Sequence, residues 1–324
     1  MGCPHEGQTF DWNDPQLLKD KQELSSTLNL QVTRAVPHHV TTELWFLCWL
    51  KMAMMAVWAA VLMTYGASPG IAKDPTQPGL KAPLDLAPNA VDDMYTGCKD
   101  KMEYRVKKEY LANEKNKDKN FTLAWGEAEK YYNKKWKHRK GKRPPTSLSK
   151  EQIMAIYVYT LDKPKVYFDF NNAVRTQKSK YKTTFRYHAL HFFLTDALQT
   201  LNARKPQEER CLTGYRRVDS YFSQDVLNKL IRFGTFTSSS MGRYPGAYRF
   251  GDKSCFEIIT CSGADVSLYS KLGESEREAL IPPYEVFKVT KIERRSEQKS
   301  LPCEVVYKVK STGKTLSNTN CALF

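Results

Sequence analysis

The chain has 324 residues, 41% of them hydrophobic and 12% aromatic, and a formal net charge of +15. That composition excludes a disordered chain, and the length allows one large domain or two ordinary ones. The positive balance favours acidic partners such as phosphates, sulfated glycans, nucleic acid or anionic surfaces, without choosing among them.

Residues 1–43 are polar and mixed and carry no sustained period. Leu44–Leu50 and Met52–Tyr65 then form an apolar run broken only by Lys51, ending in the small-residue stretch Gly66-Ala67-Ser68-Pro69-Gly70-Ile71-Ala72. This pattern predicts a secretory signal that effectively begins at an internal Met such as Met52. Cleavage is expected after Ala72, with Gly70 and Ala72 as the small residues before the cut. The alternative is a type II membrane anchor through Leu44–Tyr65, a run about long enough to span a bilayer. A lysine near its middle argues against a single comfortable span. The expected organisation is an extension plus signal over 1–72 and one domain over 73–324, secreted or extracellular.

Six cysteines follow the predicted cut: Cys98, Cys211, Cys255, Cys261, Cys303 and Cys321. An even count in an exported chain predicts three disulfides, although six cysteines allow fifteen pairings. No Cys-x-x-Cys pair or Cys/His cluster suggests a metal site. Asn120-Phe121-Thr122 is an N-glycosylation sequon suited to an exported surface.

Pro75, Pro78, Pro83 and Pro88 mark residues 73–90 as an extended lead-in. From Val91 to Arg143 the pattern is helical and highly charged, and it ends in the basic run Lys134–Arg143. That run reads as a solvated helix end and loop. A contact with anionic glycan is its alternative reading, and no nucleic-acid partner is expected. Pro144-Pro145 breaks the helix. Ser149 and Gln152 then form a capping box for a helix over Glu151–Leu161, with Ile153, Ile156, Tyr157 and Leu161 as its buried stripe. A further amphipathic helix is expected over Lys180–Ala203. His188 and His191 on it read as packed or surface histidines, because no third ligand is near in sequence.

After Pro206 the period changes from helical to alternating. Strands are predicted at Leu212–Val218, Gly234–Ser238, Cys255–Cys261, Tyr284–Ile292 and Glu304–Lys310, with a helix at about Ser223–Arg232 between the first two. Helices first and antiparallel-looking strands second make an α+β fold. No Gly-x-Gly-x-x-Gly and no Walker pattern is present, so the usual dinucleotide and nucleotide cradles are absent.

Three features succeed one another in the strand-rich half: Tyr215-Arg216, Phe236-Thr237-Ser238-Ser239-Ser240, and Glu276-Arg277-Glu278-Ala279-Leu280-Ile281-Pro282-Pro283. In a strand running from Glu276 to Ile281, alternation places both carboxylates on one face, about 7 Å apart. Carboxylates that close can divide labour, because repulsion raises the proton affinity of one of them. Taken alone, the stretch also fits a solvated charged loop.

In this order the motifs resemble the Arg, Ser-x-Ser, Glu-x-Glu signature of the vertebrate ecto-mono-ADP-ribosyltransferases. The similarity runs from about Leu86 to the end of the chain. It includes Tyr95-Thr96-Gly97-Cys98, Tyr159-Thr160, Phe170-Asn171-Asn172-Ala173-Val174-Arg175 and Cys261-Ser262-Gly263-Ala264. The resemblance implies a helical N-terminal part packed on a two-sheet, mostly antiparallel β core that holds an NAD cleft. It implies transfer of ADP-ribose from NAD to arginine side chains of extracellular or surface proteins, with release of nicotinamide and without a metal. It carries over Arg216, Ser238, Glu278 and Glu276 as catalytic positions, Tyr159 and Ser270 as nucleotide contacts, and Phe250 as an aromatic near the nicotinamide. It also implies the disulfides Cys98–Cys321 and Cys211–Cys261, which leaves Cys255 and Cys303 for a third.

The chemistry suits these residue types. An arginine fork grips phosphate oxygens bidentately, which is the task expected of Arg216. The Ser238 hydroxyl can donate and accept at once, orienting the nicotinamide ribose and Glu278. Breaking the bond to nicotinamide passes through an oxocarbenium-like cation, and a carboxylate placed against it lowers the barrier; Glu278 is given that role. Nicotinamide leaves from a pyridinium, so no general acid is needed. A guanidinium, with a pKa above about 12, is a poor nucleophile until a base engages it, and this falls to Glu276.

Two departures from the family pattern stand out. Arg217 occupies a place where many relatives have Gly, which bears on affinity for NAD. The chain stops at Phe324, three residues after Cys321, and release is expected rather than a lipid anchor. Two other functions compete: an NAD glycohydrolase, with water in place of arginine, and a catalytically silent surface or glycan-binding relative that uses Lys134–Arg143. The intact Arg216, Ser238 and Glu278 set speaks against the silent relative.

Overall fold

The computed structural model describes residues 81–137, 148–273 and 277–324, all within the unit Gln77–Phe324. The predicted export segment with Leu44–Tyr65, residues 138–143 of the basic run, and Glu276 lie outside the described residues. Among the described residues no helix is long and apolar enough to cross a membrane.

The helical part comes first. Helix α1 (Lys99–Arg105) passes through a π turn, Val106–Tyr110, into α2 (Leu111–Lys117). Asp118 then leaves helical geometry and caps α3 (Lys119–Lys135), its carboxylate accepting from the Phe121 amide at 3.0 Å. The single helical stretch expected from Val91 is therefore several helices beginning at Lys99. Helix α4 (Lys150–Tyr159) starts with the predicted capping box: Ser149 Oγ accepts from the Gln152 amide at 3.3 Å, and Gln152 Oε1 accepts from the Ser149 amide at 2.6 Å. Helix α5 (Val166–Thr176) follows.

Helix α6 (His188–Ala203) is buried continuously from His188 to Leu198 and forms the middle of the helical core. The expectation of a helix from Lys180 is corrected, since residues 181–184 are turns. The N-terminus of α6 is fixed from a distance, by Glu114 of α2 accepting from the Ala189 amide at 2.7 Å. His188 and His191 are buried as packing residues; His191 Nδ1 meets the Tyr95 hydroxyl at 2.8 Å.

The strands are β1 (Leu212–Val218), β2 (Leu230–Ile231), β3 (Thr237–Ser240), β4 (Ser254–Thr260), β5 (Ala264–Asp265), β6 (Glu278–Ile281), β7 (Glu285–Arg294) and β8 (Val305–Thr315), with a short helix α7 (Ala247–Phe250) between β3 and β4. They join in the order β2-β7-β8-β4-β1-β3-β6-β5, antiparallel except for β4 beside β8. The two-sheet expectation becomes one sheet with a weak seam. The five strands from β2 to β1 meet the three from β3 to β5 through a single registered pair, Tyr215↔Ser240. Gly214 makes the seam possible, because a Cβ there would lie 2.2 Å from Ser239 Oγ.

The helix expected over Ser223–Arg232 is absent. Asn228 takes φ +64, which ends any helical run, and Leu230 and Ile231 pair with Lys288 and Phe287 of β7 instead. Pairing at the sheet edge outweighs local helical preference there. One face of the sheet buries Phe256, Ile258, Phe287, Val289, Tyr307 and Val309. Phe236, Val266 and Leu280 pack into the helical core. All three expected disulfides are formed: Cys98–Cys321, Cys211–Cys261 and Cys255–Cys303.

Candidate active site

The seam between β1 and β3 opens a cleft, and the strand registers decide which side chains enter it. Alternation along β1 sends Arg216 to the opposite face from Tyr215 and Arg217. Arg216 Nη1 donates to the Ser238 carbonyl at 2.8 Å, so one arginine spans the seam that the backbone bridges only once. In the neighbouring ladder Ser238 faces Leu280 and Ser240 faces Glu278. Glu278, the first residue of β6, is further fixed by its carbonyl accepting from the Val266 amide at 2.9 Å. Its carboxylate is buried, with 7% of the residue exposed.

The other wall comes from the C-terminal end of α4 and from α5. Tyr159 donates its hydroxyl proton to the Phe236 carbonyl at 2.7 Å and accepts from Asn171 Nδ2 at 3.0 Å. Burial pushes the Tyr159 hydroxyl up to about 12, so it stays neutral and works only through hydrogen bonds. Burial also draws the Arg216 guanidinium below its ordinary value, against the opposing pull of Tyr159 and Glu278. Helix α7 closes the rim with Phe250 and with Arg249, which is ion-paired to Asp162 at 3.6 Å. The cleft has a volume of about 310 Å3 and is lined by Arg216, Ser238, Glu278, Tyr159 and Phe250 together.

This donor set suits a phosphorylated nucleotide carrying a cationic ring. It offers a guanidinium, a carboxylate, hydroxyls and aromatic faces, and Asn171 Oδ1 is buried at the cleft without a hydrogen-bond partner. Among the described residues no group of three or more His, Cys, Asp or Glu side chains is placed to hold a metal ion.

Residues 84–311 match the family model described as NAD:arginine ADP-ribosyltransferase. The chain belongs to that family. Ecto-ADP-ribosyltransferase 5 of Bos taurus is 34% identical over 281 residues, which is 83% of this chain and 84% of the relative. The crystal structure of the eucaryotic mono-ADP-ribosyltransferase ART2.2 aligns with a TM-score of 0.59 at 31% identity, covering 74% of this chain and 98% of that one. A single-substitution variant of ART2.2 in complex with NAD aligns at 0.57 and 30% identity, with the same coverage. As an NAD:arginine ADP-ribosyltransferase the chain is an enzyme that transfers ADP-ribose from NAD to arginine, with NAD as co-substrate.

For this transferase the sequence-derived site residues fall into three groups. Arg216, Ser238, Glu278, Tyr159 and Phe250 share the cleft. Ser270 does not line it; its hydroxyl lies behind the carboxylate, 3.1 Å from Glu278 Oε2. Glu276 lies outside the described residues. The same-face placement expected for it rested on a strand running from Glu276, whereas β6 begins at Glu278 and Arg277 sits at φ +41. A left-handed residue interrupts strand alternation, so regular alternation begins only at Glu278.

Arg217 keeps strand geometry, and its Nη1 donates to the Pro302 carbonyl at 2.8 Å. Asn171, Asp162 and Arg249 also line the cleft, and residue-level reading gave them no role. Asn171 lay within a motif of the family resemblance. Asp162 and Arg249 had no sequence signal, because a lone charge between core elements looks like solvated surface.

Proposed function

We propose that the cleft binds NAD with its pyrophosphate on Arg216 and its nicotinamide ribose against Ser238 and Glu278. Phe250 covers the nicotinamide, and Tyr159 with Asn171 shapes the adjoining wall. The bond between ribose C1 and the nicotinamide nitrogen breaks with its electron pair leaving on nicotinamide. Glu278 faces the resulting positive charge, and because the carboxylate is fixed beforehand, no reorganisation is needed as charge develops. A guanidinium nitrogen of the acceptor then attacks C1, and its proton passes to Glu276. What supports this reading most is the convergence of Arg216, Ser238 and Glu278 in one cleft.

Outside the cell is the proposed place of work, on extracellular or surface proteins. Relatives carrying the prefix ecto- and three disulfides support this. Removal of residues 1–72, a catalytic domain over 73–324 and a glycan on the exposed Asn120 belong to the same proposal. Contact with an anionic glycan through Lys134–Arg143 is a subsidiary part of it, checked by retention on immobilised heparin.

Incubation of the secreted protein with labelled NAD and an arginine analogue tests the reaction. A labelled adduct is expected, and free ADP-ribose alone means hydrolysis. With Glu276→Gln the adduct should disappear while nicotinamide release continues. Undiminished adduct formation by that variant removes Glu276 from the acceptor step.

A further inference from the structure

Resemblance alone makes Ser270 a nucleotide contact, but its surroundings give it a different task. The residue is buried, with 3% exposed, and lies behind Glu278 rather than on the cleft surface. Its hydroxyl donates to Glu278 Oε2 at 3.1 Å and accepts from the Leu272 amide at 3.2 Å. With the Leu272 amide donating to a lone pair, the hydroxyl still has its proton to give, and the acceptor within reach is the Glu278 carboxylate.

The turn carrying Ser270 is itself anchored. The Ser270 amide donates to the Val266 carbonyl at 2.9 Å, and Val266 in turn donates to the Glu278 carbonyl at 2.9 Å. The next residue, Lys271, donates its amide to Thr160 Oγ1 at 2.9 Å. Thr160 is held at the end of α4, its hydroxyl 3.0 Å from the Ile156 carbonyl and 3.1 Å from that of Tyr157. The wall that carries Tyr159 and the strand that carries Glu278 are thereby connected through the Ser270 turn.

We propose that Ser270 is a positioning residue for Glu278, holding the carboxylate ionised and aimed at the ribose, and that it makes no contact with NAD. This rests on the role given to Glu278 above. A carboxylate that accepts a hydrogen bond is favoured in its ionised form, so losing the donor raises its proton affinity. Activity that needs ionised Glu278 should then require a higher pH.

The test compares wild type, Ser270→Ala and Ser270→Thr by nicotinamide release over a range of pH, together with titration of the Glu278 carboxyl carbon by NMR in protein carrying labelled glutamate. The Glu278 signal is identified by its loss in Glu278→Gln. For Ser270→Ala we expect kcat to fall about tenfold or more, as for a lost hydrogen bond to a charged group, with KM for NAD within about twofold. The acid limb of the rate profile and the Glu278 titration should both move up by about one pH unit, and Ser270→Thr should restore them.

Ser270→Ala with raised KM and retained kcat makes Ser270 a nucleotide contact and overturns the proposal. So does a fall in kcat with the acid limb and carboxyl titration unmoved. If wild type releases no nicotinamide, the reaction assigned to the cleft fails. The carboxyl titration still decides the Ser270 proposal in that case.

Discussion

Arg216 shows how one side chain can serve the fold and the chemistry together. Its Nη1 bond to the Ser238 carbonyl holds the seam between β1 and β3, while the rest of the planar fork remains at the cleft. Lysine would keep the charge and lose the fork. Arg216→Lys should therefore raise KM for NAD by about tenfold or more, with a smaller change in kcat, in initial-rate measurements of nicotinamide release. An unchanged KM would place the pyrophosphate elsewhere. Arg217, next in sequence, also lines the cleft, while its Nη1 donates to the Pro302 carbonyl. Arg217 keeps the strand geometry of β1.

At the scale of elements, the seam depends on contact between Gly214 and Ser239. Gly214→Ala would put a methyl carbon 2.2 Å from Ser239 Oγ and 2.8 Å from its Cβ, forcing β1 and β3 apart beside Arg216 and Ser238. Overpacking of this kind costs about 1–3 kcal/mol. Both the thermal midpoint and kcat should fall, and adding Ser239→Gly should recover both. Failure of the second substitution to rescue would mean that this contact does not set the seam.

Helix α6 carries a second consequence. Burial lowers His188 to about 3 and His191 to about 4 from an ordinary 6.5. The unfolded chain takes up protons below about pH 6.5 that the folded chain refuses, so stability is lost as pH falls from there towards about 4. Replacing His191 by Gln should reduce the slope of unfolding free energy against pH in this interval by about 1.4 kcal/mol per unit. An unaltered slope would show that His191 is not the group that takes up that proton on unfolding. Glu114, raised to about 8 by burial, acts in the other direction. Its folded form keeps a proton that the unfolded chain has lost, so its contribution to stability declines as pH rises from about 4.5 to about 8.

Over the whole molecule, what the sequence made legible was whatever depends on near neighbours or on motif order. The Ser149–Gln152 capping box, the β1 boundaries and the order of Arg216, Ser238 and Glu278 belong to that class. What escaped depends on partners far along the chain. Glu114 fixes the start of α6 across 75 positions, and β7 recruits Leu230 and Ile231 into the sheet. The seam that turns two expected sheets into one is a single pair, and the Asp162–Arg249 contact joins a loop to helix α7 across 87 positions. The Cys98–Cys321 bond has the same character: it ties the first helix to the chain end over 223 positions and limits how far the unfolded chain can expand.

In the proposed mechanism Glu278 stabilises the cation formed when nicotinamide leaves. The direct measurement is single-turnover nicotinamide release from NAD by Glu278→Gln, with an arginine analogue present and NAD binding followed separately. Release should slow by about a hundredfold or more, because an isosteric amide keeps the shape and removes the charge, while NAD still binds. Release at the wild-type rate would contradict the account.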